Sequence, residues 1–185
     1  MIEKNVLTLN GSPRPKGNTD ALCAALTEGA ESAGHKINRL DIRTMEIEPC
    51  RGCYQCVAGK GTPCVQRDEM QAVYDALATT DVLVFASPLY WWHFTAQMKT
   101  VIDRIFAVAA SSGMHMEPKE VALLIAAEDA REKNFSHIVP YYKTCLTENL
   151  GWKDRGMVLA GGVNMPGDVE KTDFLWQARD LGARL

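Results

Sequence analysis

Asn5-Val6-Leu7-Thr8-Leu9-Asn10, followed directly by Gly11-Ser12-Pro13-Arg14-Pro15-Lys16-Gly17-Asn18-Thr19, is the stretch on which the fold turns. A short apolar run ended by glycine suits a strand buried on both faces of a parallel sheet. From Asn18 to Ala33 the pattern changes to helical spacing, with Leu22, Ala25, Leu26 and Gly29 on one side and Asn18 or Thr19 available as the N-cap. The chain therefore opens with a strand, a polar turn and a helix.

Reading outward, Lys36 to Ile42 forms a second strand, and 43–66 loses all periodicity in a Cys-, Gly- and Pro-bearing stretch too long for an ordinary crossover loop. Asp68 to Thr80 is a helix with Met70, Val73 and Leu77 on one face, and Val82 to Ala86 is a third strand. A helix from Thr95 to Ala110 leads through a loop at 111–119 to the strand Val121 to Ala127. Asn134 to Leu150 reads as a helix, with Pro140 as a point where it could split. Arg155 to Gly161 is a fifth strand and Asp168 to Arg184 a closing helix. Five strands alternating with helices call for a doubly wound, mostly parallel sheet covered on both faces, with ligands at the carboxyl ends of the strands.

With 185 residues the expectation is a single domain, 1–185, carrying a Cys-rich insertion at about 43–66. A formal charge of -3 offers no basic field, so nucleic acid and anionic lipid are not expected partners. No apolar run can span a bilayer, and the start lacks the order of an export signal, so the expected location is cytoplasmic. In that setting the six cysteines point to thiol or metal chemistry rather than to disulfides.

The turn from Gly11 to Thr19 combines hydroxyls, an amide, two cationic side chains and backbone N–H groups at a helix start, where the helix dipole favours a phosphate dianion. It matches neither the Gly-x-Gly-x-x-Gly fingerprint nor a Walker A loop, which favours a monophosphate. After the third strand, Ser87-Pro88-Leu89-Tyr90-Trp91-Trp92-His93-Phe94 offers large rings at the sheet edge for a flat heterocycle, with one of Trp91 and Trp92 read as a core anchor or subunit contact. His35, His93, His115 and His137 have no ligand spacing and read as surface residues; only His93, beside the aromatic loop, is placed to touch a ligand. Met114-His115-Met116 reads either as a cover for the site or as a solvent-exposed connection.

GSPRPKGNT, the SPLYWW loop and the Lys99-x-x-x-Asp103-Arg104 ending beyond it occur in the order and spacing of one family. The chain resembles the flavodoxin-like NADPH-dependent FMN reductases, including their iron-sulfur flavoprotein branch. The resemblance implies a five-stranded parallel sheet of order 2-1-3-4-5. It implies an FMN phosphate site at Ser12, Arg14, Asn18 and Thr19, and ribityl and isoalloxazine contacts at Pro88, Leu89, Tyr90 and Trp91. A third contact is implied near Ala127 and Glu128. Lys99 and Asp103, four apart on one helix, make an ordinary surface pair. With Arg104 they are expected to orient the flavin loop or a partner subunit, since the resemblance also implies a homodimer or higher homo-oligomer.

Cys50-Arg51-Gly52-Cys53-Tyr54-Gln55-Cys56 followed by Cys64 gives C-x2-C-x2-C-x7-C. Three closely spaced cysteines curl around one centre and a fourth completes the thiolate set of a 4Fe-4S cluster, whereas structural zinc favours separated pairs. Two readings stand: Cys50, Cys53, Cys56 and Cys64 hold such a cluster, or the thiols line the flavin pocket or a dimer contact. Cys23 and Cys145 are expected in the core. No acid-base constellation is present, which fits chemistry carried by a flavin. The expected function is an NAD(P)H-dependent FMN oxidoreductase passing electrons to a small acceptor such as a quinone, a free flavin or an iron complex. The alternative is an electron carrier between protein partners.

Overall fold

The computed structural model describes residues 2–58 and 63–185. Positions 59–62 of the expected insertion lie outside the described residues. The strands β1 (Asn5–Asn10), β2 (Lys36–Asp41), β3 (Val82–Pro88), β4 (Glu120–Ala127) and β5 (Lys153–Gly161) form one parallel sheet of order β2-β1-β3-β4-β5. The chain moves from β1 outward to β2 and then crosses to β3 on the other side of β1. That reversal opens a crevice above β1 and β3.

Alternation along the central strands builds two cores. Leu7, Leu9, Leu83, Phe85, Leu123 and Ile125 face α2 (Met70–Ala78) and α3 (Ala96–Ser111). Val6, Val82, Val84, Ala86 and Leu124 face α1 (Asn18–Ser32) and the closing helix. Each fully buried Leu contributes about 1.5–3 kcal/mol, so the continuous apolar runs of β1, β3 and β4 are what covering by helices on both faces requires. α1 meets the closing helix closely through two glycines: a Cβ on Gly29 would lie 1.9 Å from the Arg179 carbonyl oxygen, and one on Gly182 would lie 2.1 Å from that of Leu26.

Three expectations about helices are corrected. The expected helix over 134–150 is broken into a 3-10 turn (Glu132–Phe135), the one-turn α4 (Ile138–Tyr141) and a π-helical run (Tyr142–Glu148). Pro140 lacks the N–H that would continue regular pairing. The closing helix is also divided, into a 3-10 turn at Asp168–Lys171 and α5 at Phe174–Ala183. At α1 the N-cap is Gly17, with no side-chain cap; Asn18 instead accepts a hydrogen bond from the Val169 N–H at 3.3 Å. His35, expected at the surface, is buried, and its Nδ1 accepts from the Lys4 N–H at 3.3 Å. Among the described residues no helix is long and apolar enough to cross a membrane.

Candidate functional site

The β1–α1 turn is held from beneath. Asn10, wholly buried at the end of β1, accepts from the Ser12 N–H at 3.1 Å and donates to Asp20 at 2.5 Å and to Asp41 at 2.7 Å. Arg39 bridges the same two carboxylates, both contacts at 2.7 Å, and Asp20 also accepts from the Lys16 N–H. Asp41 stays below the usual carboxylate range: burial pushes it up, but donation from Asn10 and Arg39 outweighs burial. With Asp20 occupied in this way, the first N–H groups of α1 have no side-chain cap, while Ser12, Asn18 and Thr19 are buried around them. A buried helix start without a cap is completed by a ligand or water.

Those residues line a cavity of about 330 Å³ at the carboxyl ends of the strands. Ser12, Arg14, Asn18 and Thr19 form one wall, and Pro88, Leu89, Tyr90 and Trp91 form another. Thus all eight residues expected from the two loops come together. The β4 side contributes Ala126 and Glu128, with Ala127 turned toward a neighbouring cavity. Val163, Asn164 and Pro166, after β5, complete the lining, and the Asn164 carbonyl accepts from Arg14 at 3.2 Å. Sequence reasoning missed this segment, although Gly161-Gly162 and Pro166-Gly167 are strong turn signals at a strand end.

The aromatic loop is a tight turn. Tyr90 and His93 exchange backbone hydrogen bonds at 2.9 and 3.0 Å, and the two residues between them, Trp91 and Trp92, have φ of 47° and 60°. That is the backbone of a hairpin turn usually supplied by Asn-Gly. Left-handed backbone costs about 1–2 kcal/mol per ordinary residue, so two tryptophans there mark a strained segment at a candidate site. Trp91 is 88% exposed, whereas Trp92 is anchored, its Nε1 donating to Asn134 at 3.2 Å. The His93 ring stacks edge-on against Tyr141 at 4.5 Å. Burial, with Lys99 and His137, keeps this imidazole below its ordinary pKa. His93 is not among the residues lining the aromatic cavity, and the Met114–Met116 loop lines a separate cavity beside Tyr141, Trp152 and the half-buried Cys145.

Cys50, Cys53, Cys56 and Cys64 line another cavity, of about 350 Å³, together with Tyr74, Arg104 and Phe106. All four are free thiols. Gly52 and Tyr54 adopt positive φ, which curls the loop so that its cysteines share one side. Among the described residues no three His, Cys, Asp or Glu side chains are gathered closely enough for a single ion. Lys99 and Asp103 form the expected surface pair, but Arg104 departs from expectation. Rather than lying by the flavin loop, it is buried, paired with Asp68 and donating to the Glu48 carbonyl at 2.9 Å. Burial would raise the Asp68 carboxyl, yet Arg104 and the Glu48 and Met70 N–H groups hold it below the usual range. Burial also raises Tyr74 to about 12, and its hydroxyl donates to the Arg104 carbonyl at 3.1 Å.

A doubly wound sheet with an uncapped helix start at its switch point and a ring-bearing loop beside it defines a flavodoxin-like mononucleotide-binding protein. The chain belongs to the NADPH-dependent FMN reductase family, which it matches over residues 4–134. It is 40% identical over 95 residues to an iron-sulfur flavoprotein of Archaeoglobus fulgidus, a match covering 51% of this chain and 42% of that protein. An iron-sulfur flavoprotein of Methanocaldococcus jannaschii is 28% identical over 97% of this chain and 94% of its own length. In fold the chain is similar to an NAD(P)H:quinone oxidoreductase from Methanothermobacter marburgensis, with a TM-score of 0.80, 21% identity, and coverage of 98% of this chain and 96% of that one.

Proposed function

We propose that this chain is an FMN-dependent NAD(P)H oxidoreductase that passes electrons to a small acceptor of the quinone, flavin or iron-complex type. The observation that carries this reading is the uncapped, buried start of α1 facing the same cavity as Tyr90 and Trp91. Ser12, Asn18, Thr19 and the N–H groups of α1 would hold the FMN phosphate, with Arg14 supplying charge. Pro88, Leu89, Tyr90 and Trp91 would hold the ribityl chain and ring system, and the strained turn would fix the rings before the ligand arrives. FMN, when bound, supplies acceptance of an electron pair from a nicotinamide and its onward transfer in one- or two-electron steps. Glu128 and Asn164 complete the rim and restrict what approaches the rings. Adding NADH or NADPH to the flavin-loaded protein without oxygen tests the reading: prompt loss of the flavin absorbance is expected, and an unchanged spectrum over hours would remove it.

A second reading, that the chain also carries a 4Fe-4S cluster and exchanges electrons with protein partners, is supported by the four-cysteine cavity. In such a cluster each iron takes one cysteine thiolate, so the ligands surround a space instead of converging on a point. Four free cysteines around one cavity fit that donor set, even though no three of them converge as for a single ion. Cys50, Cys53, Cys56 and Cys64 would be the ligands. Anaerobic purification followed by iron and sulfide assays decides it: about four labile sulfides per chain are expected, and half that or less counts against the cluster.

A further inference from the structure

Arg104 has 1% of its side chain exposed, yet among the described residues only one of its three nitrogens has a hydrogen-bond partner. Its Nη1 donates to Asp68 and to the Glu48 carbonyl, whereas Nε and Nη2 have no hydrogen-bond partner among the described residues. A guanidinium carries its charge at all working pH values, and a buried donor of this kind is costly to leave unpaired. The cavity that Arg104 lines contains the four cysteines. Neutral thiols are weak acceptors, but thiolate or sulfide sulfur is anionic and accepts charge-assisted hydrogen bonds.

We infer that Arg104 is a positioning residue whose Nε and Nη2 donate to anionic sulfur held among Cys50, Cys53, Cys56 and Cys64, and so set the reduction potential of the centre bound there. The inference rests on the cluster reading given above. Asp68 and the Glu48 carbonyl clamp one edge of the guanidinium, which leaves the other edges for the cavity. Lysine, with a single nitrogen, could not serve both sides in this way. A fixed positive charge and hydrogen bonds to sulfur both favour the more negative, reduced form, so Arg104 raises the potential.

The test uses the full chain, purified without oxygen, as wild type, Arg104→Gln and Arg104→Lys. The readings are iron and sulfide content, and redox titration of the centre by electron paramagnetic resonance with the flavin absorbance followed in parallel. At the potential where the wild-type centre is half reduced, Arg104→Gln is expected to hold roughly tenfold less of the reduced form. Arg104→Lys is expected to shift in the same direction by less, and the flavin couple to move least. If Arg104→Gln fails to fold or load, the Lys variant decides, and a wild-type midpoint in it overturns the inference. Equal shifts of flavin and centre, the mark of a general structural effect, also overturn it. Iron in the wild type with unshifted variants sinks this inference and leaves the cluster reading standing. A wild type without iron removes both.

Discussion

The Thr95 hydroxyl donates to the Gly11 carbonyl at 2.8 Å while accepting the Met98 N–H at 3.3 Å, so one oxygen caps α3 and fastens the end of β1 to it. Gly11 has little room to move: a Cβ there would lie 2.8 Å from that of Met98. The start of the β1–α1 turn and the start of the helix after the aromatic loop are therefore one joint. Thr95→Ala removes the cap and leaves a buried carbonyl without its partner, and the expected loss is about 2 kcal/mol in urea unfolding. The variant is also expected to bind FMN more weakly, because both walls of the cavity lose their common anchor. Wild-type stability and affinity together would show that the joint is dispensable.

Gly29 and Gly182 bring the backbones of α1 and α5 close together, and α1 is the helix whose start faces the cavity. Gly29→Ala and Gly182→Ala each place a methyl into a carbonyl oxygen of the opposite helix, and each is expected to cost about 3 kcal/mol or somewhat more through overpacking. Gly34→Ala is the control. Its φ is +87° with open space around it, so it is expected to cost only about 1 kcal/mol, from backbone strain. Denaturant midpoints measured on the three variants check the order, and equal losses would contradict it.

What could be read from the sequence follows the range over which each signal acts. The β1 run, the turn after it and the Ser87–Trp92 loop are local patterns, and all eight residues expected from the two loops line one cavity. Thr95 and Gly11 lie 84 positions apart, and the Asn10–Asp20–Asp41 brace joins three elements, so no window along the chain contains either. Arg104 parts from Lys99 and Asp103 for a geometric reason. Neighbouring residues on a helix point about 100° apart, so Asp103 stays at the surface with Lys99 while Arg104 turns inward to Asp68. Pro140 marks a break in the helical pattern, but the π-helical run after it has no periodic signature.

Asp68 makes the Cys-bearing segment sensitive to acid. Its carboxyl is held below the usual range in the folded chain, since donation from Arg104, Glu48 and Met70 outweighs the opposing effect of burial. A depressed folded pKa means that the contribution is fully present above the unfolded value, about 3.9, and is lost as pH falls through the folded value. Asp68→Asn is expected to cost about 3 kcal/mol near neutrality by leaving the Arg104 charge without its partner, and to flatten the acid limb of the stability profile. Urea unfolding from neutral pH down to about pH 3 compares the two, and parallel acid limbs would argue against the coupling.

Trp91 separates the needs of folding from those of binding. Its ring is almost fully exposed, meeting Trp92 edge-on at 5.6 Å, and its φ of 47° is unfavourable, so folding alone gives little reason for tryptophan at this position. Asparagine tolerates left-handed backbone and suits the first central position of such a turn. Trp91→Asn is therefore expected to raise the stability of the flavin-free protein by about 0.5–1 kcal/mol, since little packing is lost. If the ring lies against a bound isoalloxazine, the same change weakens FMN binding by about tenfold or more, in line with the roughly 1–3 kcal/mol that aromatic stacking supplies to planar bases. Trp92 differs in degree: Trp92→Asn gives up the hydrogen bond to Asn134 and is expected to gain less stability. Flavin-free thermal melts and fluorescence titration with FMN read the two effects separately. A Trp91→Asn protein that is more stable and binds FMN as the wild type does would assign the strained turn to some ligand other than the flavin.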